Sequence, residues 1–381
     1  MATQMQQLTQ YGQSIWLDNI RRSMFASGDL KRLIDQGLRG MTSNPTIFEK
    51  AIGHGSDYDA QLSSLIGKET DPGALFEALA IQDIRSACDE FRALFDETHG
   101  ADGYVSLEVS PTLAHDTQGT IDAAARLWKA VDRPNVMIKI PGTPAGVPAI
   151  RATIAAGINV NVTLLFSVDA YEAAGRAYID GIGDRIHKGQ PVDTIASVAS
   201  IFISRIDSAV DKALEARIEN GAAALAGLLG KTGIANTKMI YARFGELFEG
   251  APFVEARAHG AHVQRPLWAS TGTKNPAYSD LMYVEGLVAK DTVNTVPPAT
   301  LDALLDHGKV QPQTALADLA GAHATLDALA QAGVSLHDVT ETLVAEGVKS
   351  FADSFKAMLD AIAKKQQTLA AGAPKPVGAA R

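Results

Sequence analysis

The chain has 381 residues, 46% hydrophobic and 20% charged, which is enough apolar content for a large core and far from a disordered composition. Lys+Arg 34 against Asp+Glu 43 leaves −9, with no basic block of the kind that holds nucleic acid. The one cysteine, Cys88, excludes an internal disulfide and a Cys-based zinc or iron–sulfur site.

Length alone suggests roughly two to three domains, but a barrel of alternating strand and helix often exceeds that unit as one domain. The N-terminal MATQMQQLTQYGQSIW has no positive region before an apolar run, so no secretory leader is expected. The longest apolar stretch, around 222–229, is too short to span a bilayer, and the expected location is the cytoplasm.

Strands are predicted at 14–18, 40–43, 104–109, 136–140, 158–164, 197–203, 266–270 and 292–295. Helical segments alternate with them. Leu75, Leu79, Ile84, Cys88, Phe91 and Phe95 recur at helical spacing over 74–95. A second helix runs from Ile121 through Trp128, with Thr117 or Thr120 expected as its N-cap. Eight strand–helix units predict a single (β/α)8 TIM barrel, with a doubly wound sheet as the other topology giving the same alternation. The interval 206–264 reads as a helical insertion between strands 6 and 7. The stretch 314–365 reads as extra C-terminal helices packed outside the barrel. Residues 1–365 are thus expected to form the barrel domain, and 366–381, rich in Ala, Pro and Gly, a disordered tail or linker.

Strand parity locates a candidate site. Alternate residues of a strand face opposite ways. Val136, Ile138 and Ile140 oppose Met137 and Lys139, and Val105, Leu107 and Val109 oppose Ser106 and Glu108. Ile158, Val160, Val162 and Leu164 oppose Asn159, Asn161 and Thr163. If the apolar phase meets the helices, the polar phase points into the barrel and lines a site at its C-terminal mouth. Asp18, Asn44 and Ser200 extend the set. Singly, each has an ordinary reading: a snorkelling lysine, a solvated carboxylate, a satisfied core amide, or a helix cap for Asp18. Their common place at strand ends is not explained that way.

Other signals are weak. Gly230-Lys231-Thr232 lacks the first glycine and the preceding strand of a phosphate-binding loop, and Gly181-Ile182-Gly183 lacks the third glycine of a dinucleotide fingerprint. His259, His262 and Glu255 have a spacing that could seat a metal, but read as surface residues, so no metal is expected. The loop GTPAGVPAI after Lys139 reads either as a phosphate contact or as a simple strand–helix turn.

A lysine among carboxylates and amides, without metal ligands, suits Schiff-base chemistry. Attack on a carbonyl needs the neutral amine, which desolvation favours. A protonated imine then accepts electrons from an adjacent C–C bond, and two carboxylates divide the acid–base work. Arg205 and Lys274, past strands 6 and 7, are placed for a phosphate.

The segments GMTSNPTIFEKAI, VSLEVSPTLA, VMIKIPGTPAG, GINVNVTLLFS, VASIFISRID and WASTGTKNP together resemble transaldolases, in order and spacing, from about Tyr11 to about Phe355. The resemblance implies a metal-independent, cofactor-free class I enzyme of the pentose phosphate pathway. Such enzymes move a dihydroxyacetone unit from fructose 6-phosphate or sedoheptulose 7-phosphate to erythrose 4-phosphate or glyceraldehyde 3-phosphate. It implies Lys139 as the Schiff-base lysine, Asp18 as the acid–base group on the substrate hydroxyl, and Glu108 with Thr163 as the pair positioning water. It further implies Asn44 and Asn161 as hydroxyl-binding, Ser200 and Phe202 as pocket walls, and Arg205 with Lys274 as phosphate contacts. Many relatives carry arginine where Lys274 stands, which keeps the charge and loses the bidentate fork. The partners implied are sugar phosphates, with no nucleic acid or membrane, in a monomer or homodimer. Some family members are fused to glucose-6-phosphate isomerase, and the tail resembles a linker to such a partner. The alternatives are a fructose 6-phosphate aldolase, whose acid–base arrangement uses a tyrosine, and an inactive barrel serving as a scaffold.

Overall fold

In the computed structural model, which describes residues 2–53 and 55–372, eight parallel strands close into a barrel in sequence order. They are β1 (Gln13–Asp18), β2 (Gly40–Thr42), β3 (Tyr104–Glu108), β4 (Val136–Pro141), β5 (Val160–Leu165), β6 (Ser197–Phe202), β7 (Arg265–Ala269) and β8 (Thr292–Val296). The predicted (β/α)8 TIM barrel is the fold, and the doubly wound alternative falls because β8 pairs with β1. No helix among the described residues is long and apolar enough to cross a membrane.

Parity sorts the two cores as the sequence implies. Outward residues Val105, Leu107, Val136, Ile138, Val160 and Val162 join the shell between strands and helices. Inward residues Trp16, Tyr104, Met137, Val198, Leu267 and Val293 fill the barrel. Below them Asp102 accepts from Ser14 Oγ (2.8 Å) and Arg265 Nη1 (3.1 Å), a polar plug at the N-terminal end. Above them the inward phase turns polar and opens at the mouth.

Two backbone features sharpen this layering. Gly40 faces Trp16, and a Cβ built there would lie 2.6 Å from the indole. Gly40→Ala therefore has to displace a fully buried tryptophan, and an overpacked core of this kind costs ~1–3 kcal/mol. A lower urea midpoint with an unchanged m-value is the expected result. The second feature corrects the predicted phase of Leu164. Its φ is 61°, and the β5–β6 register shifts between Val162 and Leu165. This bulge turns Leu164 into the inner cluster, while Leu165 takes the outward place.

The helices follow their caps. Asp71 accepts from Ala74 N and starts Pro72–Glu97, on which Cys88 is fully buried. The helix Thr117–Val131 is capped by Asp116, which accepts from Gly119 N, so neither Thr117 nor Thr120 is the cap. Thr120 Oγ1 instead donates to the carbonyl of Leu113. Between β6 and β7 lie Ser204–Glu219, Thr232–Glu249 and Ala251–Ala258, the expected helical insertion.

The C-terminal helices depart from expectation. Leu319–Gln331 does pack outside the barrel, but Leu336–Gly372 crosses the barrel mouth and continues past 365. Phe351 on it stands over Lys139, Ser354 Oγ lies 2.8 Å from Thr46 Oγ1, and Phe355 meets Phe76 edge-on at 5.6 Å. Apolar positions on one helical face need a partner, and the open end of the barrel provides it. The rest of the expected tail, 373–381, lies outside the described residues.

Candidate active site

Register places the chemistry in one layer. Glu108 on β3 pairs with Lys139 on β4, and Lys139 pairs with Asn161 on β5, so the three side chains point inward side by side. Lys139 is 4% exposed. Its Nζ donates to the carbonyl of Ser43 at 3.1 Å and lies 3.4 Å from Glu108 Oε2, with the Phe351 ring 5.9 Å away. Around it the mouth forms a cavity of about 590 Å³, lined by Asp18, Asn44, Lys139, Ser200, Phe202, Arg205 and Lys274.

The members of the layer differ in how well the protein satisfies them. Asn161 Nδ2 donates to Ser106 Oγ (2.9 Å) and its Oδ1 accepts from Ser200 Oγ (2.7 Å), which holds the amide in one orientation. Asp18 Oδ1 accepts from Thr42 Oγ1 at 2.7 Å. It does not cap the following helix. Asn44 does cap a helix, its Oδ1 accepting from Ile47 N at the start of Pro45–Gly53. Thr163 is fully buried, and its Oγ1 has no protein partner. Neither oxygen of Glu108 has a hydrogen-bond partner; the 3.4 Å approach of Lys139 is an ion pair at a long distance.

Burial sets the electrostatics. It pushes the Asp18 carboxyl above its ordinary value, against the opposing pull of Lys139, the Thr42 hydroxyl and Lys274. It pushes Glu108 up as well; Lys139 opposes that rise, and the nearby Asp18 charge adds to it. Two carboxyls thus share one lysine in a site that disfavours charge on both. Arg205 stacks over Phe202 with its guanidinium carbon 5.2 Å from the ring centre, and burial lowers its pKa against a raising contribution from Glu346.

Several lining residues carry no signal in the sequence. Ser270, at φ 55° just after β7, bends into the cavity and shares a 2.9 Å hydrogen bond with Ser204. Arg21 and Lys50 are exposed cations at the rim, indistinguishable in the sequence from other surface charges. Phe351 arrives from a helix more than two hundred positions away from Lys139 in the chain. Inward parity does mark Ser106, but nothing in the sequence says that it would hold Asn161.

The helix Ser204–Glu219 carries a buried acid pair, Asp207 and Asp211. Asp207 accepts from Gly233 N (2.7 Å) and Tyr283 OH (2.8 Å), and Asp211 accepts from Tyr278 OH (2.8 Å) in the loop that carries Lys274. Burial pushes Asp207 up from 3.8 to about 6. Between those values the folded chain keeps a proton that the unfolded chain releases. This group's stabilising contribution is therefore complete below the unfolded pKa of 3.8 and is lost as pH rises through about 6. Asp207→Asn is expected to flatten the fall of stability between pH 4 and pH 6, because it removes the group that titrates there. Urea titrations of both proteins across that range give the comparison.

The weak signals remain outside the cavity. Gly230 N donates to Asp211, with no strand before it. His262 Nε2 lies 2.9 Å from the carbonyl of Asp193, and no group of three His, Cys, Asp or Glu among the described residues is placed to hold a metal. Thr143 in the loop after Lys139 donates to Ala114 O and accepts from Gly146 N, forming a strand–helix turn.

A model of the family described as Transaldolase/Fructose-6-phosphate aldolase matches residues 15–362. The transaldolases of Mycobacterium ulcerans (strain Agy99) and Mycobacterium marinum (strain ATCC BAA-535 / M) are each 45% identical over 365 residues, covering 95% of this chain and 97% of theirs. The transaldolase of Mycobacterium tuberculosis (strain CDC 1551 / Oshkosh) is 46% identical over 354 residues, covering 92% and 94%. On sequence, barrel topology and the lysine-centred layer together, the chain belongs to the transaldolase/fructose-6-phosphate aldolase family.

Proposed function

We propose that this protein is a transaldolase that moves a dihydroxyacetone unit between sugar phosphates through an imine on Lys139. In this reading the neutral Lys139 amine adds to C2 of a ketose phosphate, fructose 6-phosphate or sedoheptulose 7-phosphate, and loss of water gives a protonated imine. Asp18 takes the proton of the C4 hydroxyl, and the C3–C4 bond breaks. Its electron pair moves into the imine as an enamine, and the aldose phosphate leaves. The enamine carbon then attacks the aldehyde of erythrose 4-phosphate or glyceraldehyde 3-phosphate, and Asp18 returns the proton to the new hydroxyl. Water held by Glu108 and Thr163 hydrolyses the imine and frees the product.

The observation that carries the reading is a buried amine 3.4 Å from the buried carboxyl of Glu108, in a cavity that half-buried Asp18 also lines at the mouth of a parallel barrel. The unpaired oxygens of Glu108 and Thr163 are the acceptors a reacting water needs. Asn161, fixed by Ser106 and Ser200, and Asn44 are assigned to substrate hydroxyls, with Ser200 and Phe202 as walls. Arg205 and Lys274 are assigned to the phosphate. The proposed setting is cytoplasmic sugar-phosphate metabolism.

Incubation with fructose 6-phosphate, borohydride reduction and peptide mapping should place a three-carbon adduct on Lys139. An adduct on another lysine, or none, sinks the mechanism. The family description also covers fructose 6-phosphate aldolases. Erythrose 4-phosphate separates the two: sedoheptulose 7-phosphate should form, and release of free dihydroxyacetone without it would favour the aldolase.

A further inference from the structure

Glu108 lines a cavity that Lys139 does not. A second chamber of about 330 Å³ lies on the other side of Ser43 and Asn44 from the first. Glu108 stands at its inner end, and its outer end reaches exposed Asp71 at the start of Pro72–Glu97. The C-terminal helix serves both chambers on consecutive turns: Phe351 lines the first and Phe355 the second. The two spaces share Asn44, and the 3.4 Å approach of Lys139 Nζ to Glu108 Oε2 brings a residue of each together.

We propose that the second cavity is the water passage to Glu108, by which water leaves and enters the site while a sugar phosphate fills the first cavity. This deepens the transaldolase reading and rests on it. Making the imine expels one water, and breaking it consumes one, so water must move twice in each cycle. A substrate whose phosphate sits among Arg205 and Lys274 at the rim closes the main opening from that side. Glu108 is the group in need of that water. Its side chain is 3% exposed, and neither oxygen has a hydrogen-bond partner within the protein. Beside the apolar walls at Phe48, Phe76 and Phe355, the chamber is lined by Ser43, Asn44, Ser110 and Glu108, polar groups of the kind a water needs in order to enter. In the hydrolytic step the water oxygen bonds to C2 of the imine while Glu108 takes its proton. The C2–N bond then breaks, the nitrogen leaves with a proton as the Lys139 amine, and the new carbonyl oxygen is the one that came from water.

That last point supplies the test. Each time the imine forms and reverts in H2(18)O, the C2 oxygen of fructose 6-phosphate exchanges, provided the expelled water escapes before it returns. Ala80→Leu fills the chamber from its wall, and Ala74→Trp caps it from a half-buried rim position, so the second variant tests the idea even if the first folds poorly. With enzyme-free exchange subtracted, both should lower 18O incorporation about tenfold, part of the roughly 100-fold or more that a positioned acid–base group contributes. Both should also slow the appearance of the borohydride-trapped adduct while leaving its final level and the KM for fructose 6-phosphate unchanged. Wild-type exchange and trapping in a folded Ala74→Trp protein would overturn the passage and leave the transaldolase reading standing. No Lys139 adduct in the wild-type protein would overturn both. A raised KM together with unchanged exchange per turnover would show that the chamber shapes substrate binding instead, and would also overturn the passage.

Discussion

Lys139→Ala is expected to lose at least about three orders of magnitude in kcat for dihydroxyacetone transfer, because the proposed mechanism opens the C–C bond through an imine on that residue. Lys139→Arg should fail as fully. A guanidinium keeps the charge beside Glu108 but cannot become a neutral nucleophile at any working pH. Comparing the two variants separates electrostatics from covalent chemistry: if arginine restored activity, the charge rather than the amine would be the catalyst. The alanine variant also leaves Glu108 buried without its cation. Burial already favours the protonated carboxyl there, so the variant is expected to fold with a neutral Glu108. Far-UV circular dichroism and the absence of a borohydride adduct complete the measurement.

The carboxyls should divide the cycle between them. Asp18→Asn is expected to lower kcat by about 10²–10⁴-fold while leaving imine formation intact, so the trapped Lys139 adduct with intact hexose phosphate should accumulate. Glu108→Gln, of the same order in kcat, should instead slow the appearance of the adduct, because water handling precedes and follows the bond cleavage. Quenching with borohydride at successive times distinguishes them, and equal trapping rates in the two variants would refute the division of labour. Burial raises both carboxyls, so the acid limb of kcat/KM in the unmodified protein should lie above the ordinary carboxylate range. Asp18→Asn is expected to change the position of that limb.

Parity made the site legible to a large degree. Lys139, Glu108 and Asn161 each occupy the polar phase of an otherwise apolar strand, and in a barrel that phase points in only one direction. Asp18 and Ser200 follow from the same rule and line the cavity, as does Phe202, which only the family resemblance pointed to. The rule failed at Leu164, where a bulge with positive φ in a non-glycine residue reverses the phase. Such a conformation is unfavourable for leucine and is held by its surroundings, so the local sequence gives no warning of it. Arg21 and Lys50 were invisible for the opposite reason: exposed cations look alike until a fold puts a cavity beside them.

The C-terminal helix is the clearest division between the two levels. Its helical period was plain from the sequence, as were the eight strands, the insertion after β6 and the buried position of Cys88. Which surface its apolar face would cover was not, because periodicity states that a face must be buried and says nothing about where. Only the closed barrel, with an open apolar rim at Phe48 and Phe76, decided that Phe351 and Phe355 would come down over the mouth. Local chemistry, set by strand parity and residue type, therefore determined which groups could react. Long-range packing decided what covers them, which oxygens are left unpaired, and that Glu108 faces a second chamber, since each depends on contacts between segments far apart in the chain.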